Sequence, residues 1–109
     1  MEILVREMSY ADLELKVIRW GEDRGIVQNS TPAAQAKKTL EELDELYTAI
    51  RNNDREEMID AYGDILVTLI MGCACADLDL VDCLDHAYQQ IKDRKGYLGA
   101  DGIFVKDQT

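Results

Sequence analysis

The sequence has one proline, one histidine and three cysteines. Proline interrupts helices, so its scarcity, with glycines mostly near the expected helix ends, favours an all-helical chain. The cysteines form no CxxC pair, and a zinc site needs more ligands than one histidine adds. We therefore interpret Cys73, Cys75 and Cys83 as reduced, mostly buried thiols in a reducing compartment.

Other absences limit the function. The N-terminus has no signal-peptide pattern, and the uncharged run at 65–76 is shorter than the roughly 20 residues that cross a bilayer. A cytoplasmic location without a membrane partner is therefore expected. The net charge of −10 disfavours binding to DNA or RNA, because phosphates repel an acidic surface. The sequence also lacks GxxxxGK[ST] and GxGxxG loops and any evident nucleophile–histidine–acid set.

Length and composition predict a single folded domain over 1–109, with 47% hydrophobic residues and one modest core. Capping and periodicity predict four helices. They run from a capping box at 9–12 to about 21–25, from Thr31 to about Arg51, from about 55 to 76, and from the N-cap Asp79 to 92–96. A loop is expected at 25–30, an extended arm at 3–5, and an irregular C-terminal tail with a turn and a short strand or arm at 103–105.

The second and third predicted helices carry acidic residues and are joined by a short turn at 52–54. On the second helix, the spacing of Gln35, Lys38, Glu42 and Glu45 predicts a polar ridge. The opposite stripe, which we expect to pack against the core, consists of Leu40, Leu43, Tyr47 and Ile50.

On the third predicted helix, Asp60 and Asp64 lie one turn apart. The uncharged run that follows is apolar all round, so it is expected to be buried all round. Asp64 would then lie at the border of a buried segment, where a carboxylate needs a partner such as a metal ion. Gly63 and Gly72 predict close approach of another backbone, since glycine costs roughly 1 kcal/mol in a helix.

Several of these residues have two interpretations. The glutamates of the ridge are either a solvated face or metal ligands. Lys38 is either a surface lysine or a phosphate contact one turn from Glu42. Trp20 is either a packing anchor or a wall for a nucleobase. A basic cluster ends the fourth helix, where cations suit the helix terminus but could equally bind phosphate; it consists of Lys92, Arg94 and Lys95.

Four stretches together resemble the MazG-like members of the all-α nucleoside triphosphate pyrophosphohydrolases. The sequence EELDE at 41–45 is similar to the family's EExxE, and DAYGD at 60–64 is similar to its ExxD. The stretches NSTPAAQAKK at 29–38 and IKDRKGYLGADGIFVKD at 91–107 resemble those of short, phage-type members. One departure is Ala61, which occupies the position of the usual glutamate.

The resemblance implies a four-helix bundle that pairs as a homodimer or a dimer of dimers. It also implies Mg²⁺-dependent hydrolysis of nucleoside or deoxynucleoside triphosphates to the monophosphate and pyrophosphate, with Mn²⁺ as a substitute cation. The implied metal ligands are Glu42, Glu45 and Asp64, with Asp60 in place of the missing glutamate. Glu41 is an outer ligand or orients the attacking water. The implied substrate contacts are Lys38, Lys92, Arg94, Lys95 and Trp20.

Two other functions stay open. Ala61 favours a non-catalytic helical interaction module that retains the fold and has lost turnover. A pyrophosphohydrolase for a modified nucleotide is the second alternative, because the sequence does not identify the base or the sugar.

Overall fold

The computed structural model of the chain describes residues 8–107, and the expected arm at 3–5 lies outside this range. Within it, 71% of the structure is helical, with five helices and one two-stranded sheet. The elements are α1 (Tyr10–Asp23), α2 (Ile26–Asn29), α3 (Pro32–Arg51), α4 (Arg55–Cys75), α5 (Leu80–Ile91), β1 (Gly96–Leu98) and β2 (Phe104–Lys106).

The helix starts follow the predicted capping chemistry. At α1, Ser9 and Asp12 form a reciprocal capping box. The Thr31 hydroxyl accepts a hydrogen bond from the N–H of Ala34 at the start of α3, and Asp54 accepts one at the start of α4. The four long helices therefore begin where the sequence predicted them.

Two local elements differ from the prediction. The expected loop at 25–30 contains the short helix α2, which begins after Gly25 in the left-handed region with φ 74°. The C-terminal tail is an antiparallel hairpin in which Gly96 is opposite Lys106. Its first strand was not predicted, although its partner strand lies only six to ten residues later, across the turn at 99–103.

Helices α3 and α4 pack antiparallel, in a register that two contacts define. The side-chain oxygens of Thr39 and Thr68 lie 2.7 Å apart, and a Cβ on Gly72 would lie 3.4 Å from the Cβ of Gln35. The close approach predicted from glycine is therefore found at Gly72. It is not found at Gly63, which is exposed and has open space around it, so that prediction was wrong.

The register defines which row of each helix faces the other. The helical period places 35, 39, 42, 46 and 49 of α3 against 58, 61, 65, 68 and 72 of α4. The buried members of these rows are Glu42, Leu46, Ala49, Ala61 and Thr68. Half of these ten positions carry a small residue, Thr, Ala or Gly, and small side chains allow two helices to approach closely.

The predicted packing stripe of α3 is exposed within one chain, so that expectation was wrong. It forms an apolar side of the helix pair together with the exposed stripe of α4. We define this apolar side as Leu40, Leu43, Tyr47 and Ile50 of α3 with Ile59, Tyr62, Leu66 and Leu69 of α4. All eight lie one position after the facing rows, and in antiparallel helices such residues point to the same side. Helix α3 has two candidate stripes, and α4 covers only one of them.

Helix α4 is likewise not buried all round. Its apolar window is 22% buried, and by length and composition alone this helix is long and apolar enough to cross a membrane. That differs from the expectation based on the shorter uncharged run, although a core helix of a folded domain passes the same test. The radius of gyration is 16.4 Å, above the roughly 13 Å of a compact chain of about 100 residues. One chain therefore leaves much apolar surface uncovered.

Helix α1 is attached to the other helices by two buried contacts. Gly21 lies against the side chain of Met71, which is 2% exposed. Glu14, 3% exposed, accepts hydrogen bonds from the Tyr10 hydroxyl at 2.9 Å and from the N–H of Val81 at 3.3 Å. Burial, and then Glu14, raise the pKa of Tyr10 to about 12, so the phenol remains a donor at neutral pH.

The Glu14 bond takes the place of a predicted cap. Asp79 is the N-cap residue of α5, as expected, but its side chain makes no capping hydrogen bond. The carboxylate that binds the first turn of α5 belongs to α1 instead. Glu14 therefore joins α1 to α5.

We expect Glu14→Ala to lower the free energy of unfolding by about 2 kcal/mol, because the partly buried Tyr10 hydroxyl and a helix N–H lose their acceptor. Chemical denaturation monitored by circular dichroism measures this change. Glu22→Ala, at an exposed position of the same helix, is the matched control and should change stability by less than about 0.5 kcal/mol. Equal losses in the two variants would contradict the assigned role.

Candidate functional site

Glu42 is the buried carboxylate of the α3–α4 contact. It is 7% exposed, although it belongs to the predicted polar ridge. Its Oε1 lies 3.6 Å from Lys38 Nζ, and its Oε2 has no hydrogen-bond partner among residues 8–107. A buried carboxylate oxygen without a partner is costly, so this atom is an acceptor available to a cation.

Lys38 is exposed and lies beside two glutamates. Its Nζ is 3.2 Å from Glu41 and 3.6 Å from Glu42. The hydrogen bond and the charge of Glu41, followed by the charge of Glu42, raise the pKa of Lys38. The lysine therefore stays charged at the edge of the carboxylates, where an anionic ligand could also reach it.

The remaining carboxylates of the prediction share one side of the helix pair. This acidic side consists of Glu41 and Glu45 of α3 with Asp60 and Asp64 of α4, all exposed. Each lies one position before the facing rows, which places them on the side opposite the apolar one. The register puts Asp64 at a level between Glu41 and Glu45, so the two helices bring their acidic stretches together as the sequence predicted.

Two details of the expected site differ. Asp64 is exposed, so the prediction that it borders a segment buried all round was wrong. Ala61, at the position of the usual family glutamate, is 4% exposed and belongs to the row that faces α3. A glutamate at position 61 would begin inside the contact between α3 and α4. Asp60 lies on the exposed acidic side instead, so its carboxylate does not begin from the same place.

Glu45 also lines a cavity of about 210 Å³ at the α3–α4 turn. Asp44, Asp54 and Glu57 line the same cavity, and the prediction had no ligand role for them. The sequence contained a signal for this grouping, because the short turn at 52–54 places the last turn of α3 beside the first turn of α4. Asp54 already accepts the N–H of Glu57 at 3.1 Å, which makes it a capping residue first.

The donor chemistry of the acidic side fits a hard divalent cation, which prefers carboxylate oxygens. The unpartnered oxygen of Glu42 supports this fit. Among residues 8–107, however, no three or more histidine, cysteine, aspartate or glutamate side chains form a group that could hold a metal ion. The carboxylates would therefore have to converge when a cation binds.

The predicted substrate contacts are separated from the carboxylates within one chain. The basic cluster is exposed and follows α5, which contacts α1 and α4 and, in the described range, not α3. Trp20 is 41% exposed, and the Arg24 guanidinium lies 4.7 Å from its ring centre. Of the predicted substrate contacts, the single chain brings Lys38 to the acidic side.

The cysteines lie outside this site. Cys73, Cys75 and Cys83 are free and partly buried, whereas the sequence predicted mostly buried thiols. Burial, and then the neighbouring Cys83, raise the pKa of Cys73 to about 11. This thiol stays protonated at neutral pH, which disfavours a nucleophilic or metal-binding role.

Comparison with known proteins gives two matches. The family model of the MazG nucleotide pyrophosphohydrolase domain matches residues 30–98. An uncharacterized 18.2 kDa protein in the rep-hol intergenic region of Haemophilus phage HP1 is 36% identical over 53 residues. This match covers 49% of the chain and 32% of the phage protein, so the chain spans about a third of that relative. No solved structure matches the chain.

We expect Mg²⁺ to raise the thermal stability of the chain through the buried carboxylate of Glu42. At about 100 times its dissociation constant, a cation that binds only the folded state adds about 2.7 kcal/mol. Differential scanning calorimetry with MgCl₂ or with EDTA, at constant ionic strength, measures the shift. Glu42→Gln should lose most of it.

Glu56→Gln, which removes an exposed charge from the first turn of α4, is the matched control and should keep the Mg²⁺ shift. An equal shift in both variants would mean that Mg²⁺ binds elsewhere or only screens surface charge.

Proposed function

We propose, because the chain belongs to the family of MazG nucleotide pyrophosphohydrolase domains, that it hydrolyses a nucleoside or deoxynucleoside triphosphate to the monophosphate and pyrophosphate. The observation that carries the proposal is the buried Glu42, with one unpartnered oxygen, between two acidic helices. The family match covers these helices and α5. The reaction is proposed to depend on Mg²⁺.

Glu42, Glu45, Asp60 and Asp64 are the residues that would hold the cation. When bound, Mg²⁺ would supply charge neutralisation at the phosphates and make a water molecule more acidic. Glu41, exposed beside Lys38, is assigned the orientation of the attacking water. The protein then acts mainly by positioning the triphosphate and balancing its charge.

The cationic side chains are assigned to the triphosphate. Lys38 is proposed as one of them, and the support is that its charged Nζ lies beside Glu41 and Glu42, which raise its pKa. The basic cluster at 92–95 would take part from a second subunit, because α5 does not contact α3 within one chain. Trp20 is proposed as a stacking surface for the base. The Arg24 guanidinium lies over the same ring, 4.7 Å from its centre.

The proposed assembly is a homodimer or a dimer of dimers that buries the apolar side. Eight exposed apolar side chains on two adjacent helices form a surface of the kind that marks subunit interfaces. The net charge of −10 supports a small phosphate substrate over a nucleic acid. The proposed location is the cytoplasm, where the triphosphates are.

A non-catalytic interaction module is the alternative, and Ala61 is the observation that favours it. The family glutamate at this position is replaced by a small side chain that is packed against α3. A chain that keeps the helix contact but lacks this carboxylate could fold and pair without turnover. Activity measurements separate the two functions.

The decisive experiment measures pyrophosphate release from a panel of nucleoside and deoxynucleoside triphosphates with Mg²⁺ or with EDTA. We expect release that depends on Mg²⁺ from at least one of them. Glu45→Gln should abolish it without a change in helicity, whereas Glu56→Gln should keep it. Release that persists in Glu45→Gln would remove the proposed site.

A folded chain that releases no pyrophosphate from the common triphosphates would favour the non-catalytic module. The same panel, extended to modified nucleotides, tests the other alternative, a pyrophosphohydrolase that acts on a modified nucleotide. Mn²⁺ in place of Mg²⁺ should support release, because it accepts the same oxygen ligands.

We expect Ala61→Glu to raise the Mg²⁺-dependent rate while lowering stability in EDTA by roughly 1–3 kcal/mol, because the new carboxylate extends from a buried position. Ala61→Gln adds nearly the same volume without the charge, so it should show the loss of stability without the gain in rate. Initial rates and thermal melts with and without Mg²⁺ measure both effects. Loss of all turnover in Ala61→Glu alone would mean that the site is built around Asp60.

A further inference from the structure

The C-terminal hairpin, residues 96–106, is an ordered unit with its own hydrogen bonds. The N–H of Gly99 donates to the carbonyl of Ile103 at 2.8 Å, and Asp101 Oδ1 accepts the N–H of Ile103 at 3.1 Å. Gly102 has φ 84°, a conformation that favours glycine. The turn geometry is therefore specified within the hairpin itself.

This hairpin contacts no helix within residues 8–107. A two-stranded hairpin alone is marginally stable in water and requires packing against another element. Two large apolar side chains share one face with Gly96 and Lys106: Leu98 and Phe104 are directly opposite each other and are 70% and 51% exposed. Paired residues share a face of the sheet, so these two side chains form a single ridge.

A matching groove lies on the apolar side of the α3–α4 pair. It has a volume of about 230 Å³ and is lined largely by apolar atoms, including those of Ala36, Leu69 and Cys73. Its hydroxyls, on Thr39 and Thr68, are satisfied by each other and by backbone carbonyls. A groove of this composition favours an apolar side chain over water.

The hairpin itself is the occupant that the structure offers. Its apolar ridge is not used within its own chain, because the hairpin contacts no helix within residues 8–107. A second copy carries the same ridge and can bring it to the groove. The radius of gyration, 16.4 Å, agrees with a chain whose surfaces are completed by a partner.

We propose that the hairpin is an exchanged arm: its Leu98–Phe104 face packs into the apolar groove between α3 and α4 of a second copy of this chain. In a twofold dimer each chain gives one arm and receives one. The proposal concerns assembly and does not depend on the proposed hydrolysis. Loss of the arm contact would leave the carboxylates of each chain in place, although the basic cluster of the partner could then be lost from them, and inactivity of the site would leave the arm unchanged.

The first test uses photo-cross-linking from the arm. Phe104 is replaced by benzoylphenylalanine, and equal amounts of ¹⁴N- and ¹⁵N-labelled chain are refolded together. Mass spectrometry then assigns each cross-link to one chain or two. We expect cross-links to α3 and α4 peptides, with roughly half of them joining a light chain to a heavy chain.

The same label at His86, which is exposed on α5, is the control and should give no cross-link between chains into the groove. Cross-links from position 104 that join light to light and heavy to heavy alone would show that the arm folds back on its own chain. Cross-links that miss α3 and α4 would equally overturn the proposal.

The second test measures self-association by analytical ultracentrifugation. The double variant Leu98→Ser and Phe104→Ser should weaken the dimer at least tenfold with unchanged helicity, because the hairpin does not contact the helices of its own chain. Leu15→Ser, 50% exposed on α1, is the matched control and should leave association unchanged. A monomeric wild-type chain, or a dimer that the double variant does not weaken, would overturn the proposal.

Discussion

The rest of the structure depends on the close antiparallel contact of α3 and α4. Small side chains and a glycine bring the helices together, and the hydroxyls of Thr39 and Thr68 are hydrogen-bonded within the contact. The register of this contact decides what every other residue of the two helices faces. It buries Glu42, places the other carboxylates on one side, and leaves the large apolar side chains on the other.

The same contact explains why an acidic residue is found in a core with few apolar members. The buried apolar residues of the described range are Leu46, Ala49, Ala61, Ile70 and Met71, a small set for this length. Glu42 lies between them with one oxygen unsatisfied. This cost agrees with the role proposed for Glu42, because a preorganised carboxylate is costly until its ligand binds.

The open architecture has a consequence for how the chain works. Helix α5 contacts α1 and α4 but not α3, and within residues 8–107 the hairpin contacts no helix. The basic cluster at 92–95, which lies between α5 and the hairpin, is therefore separated from the carboxylates of α3 and α4. A charge-balanced phosphate site requires both signs in one place. The uncovered apolar side and the free hairpin offer the surfaces through which a second chain could bring them together.

Local chemistry in the sequence was enough to predict the helices, their caps at Ser9, Thr31 and Asp54, and the pairing of two acidic helices, since each depends on residues a few positions apart. The family resemblance was also readable, because its motifs are short. Which stripe of α3 is buried was decided by tertiary structure: two stripes have the required period, and only the α4 contact selects one. The same holds for Glu14, because its partner in α5 is distant in the chain and no local pattern connects the two.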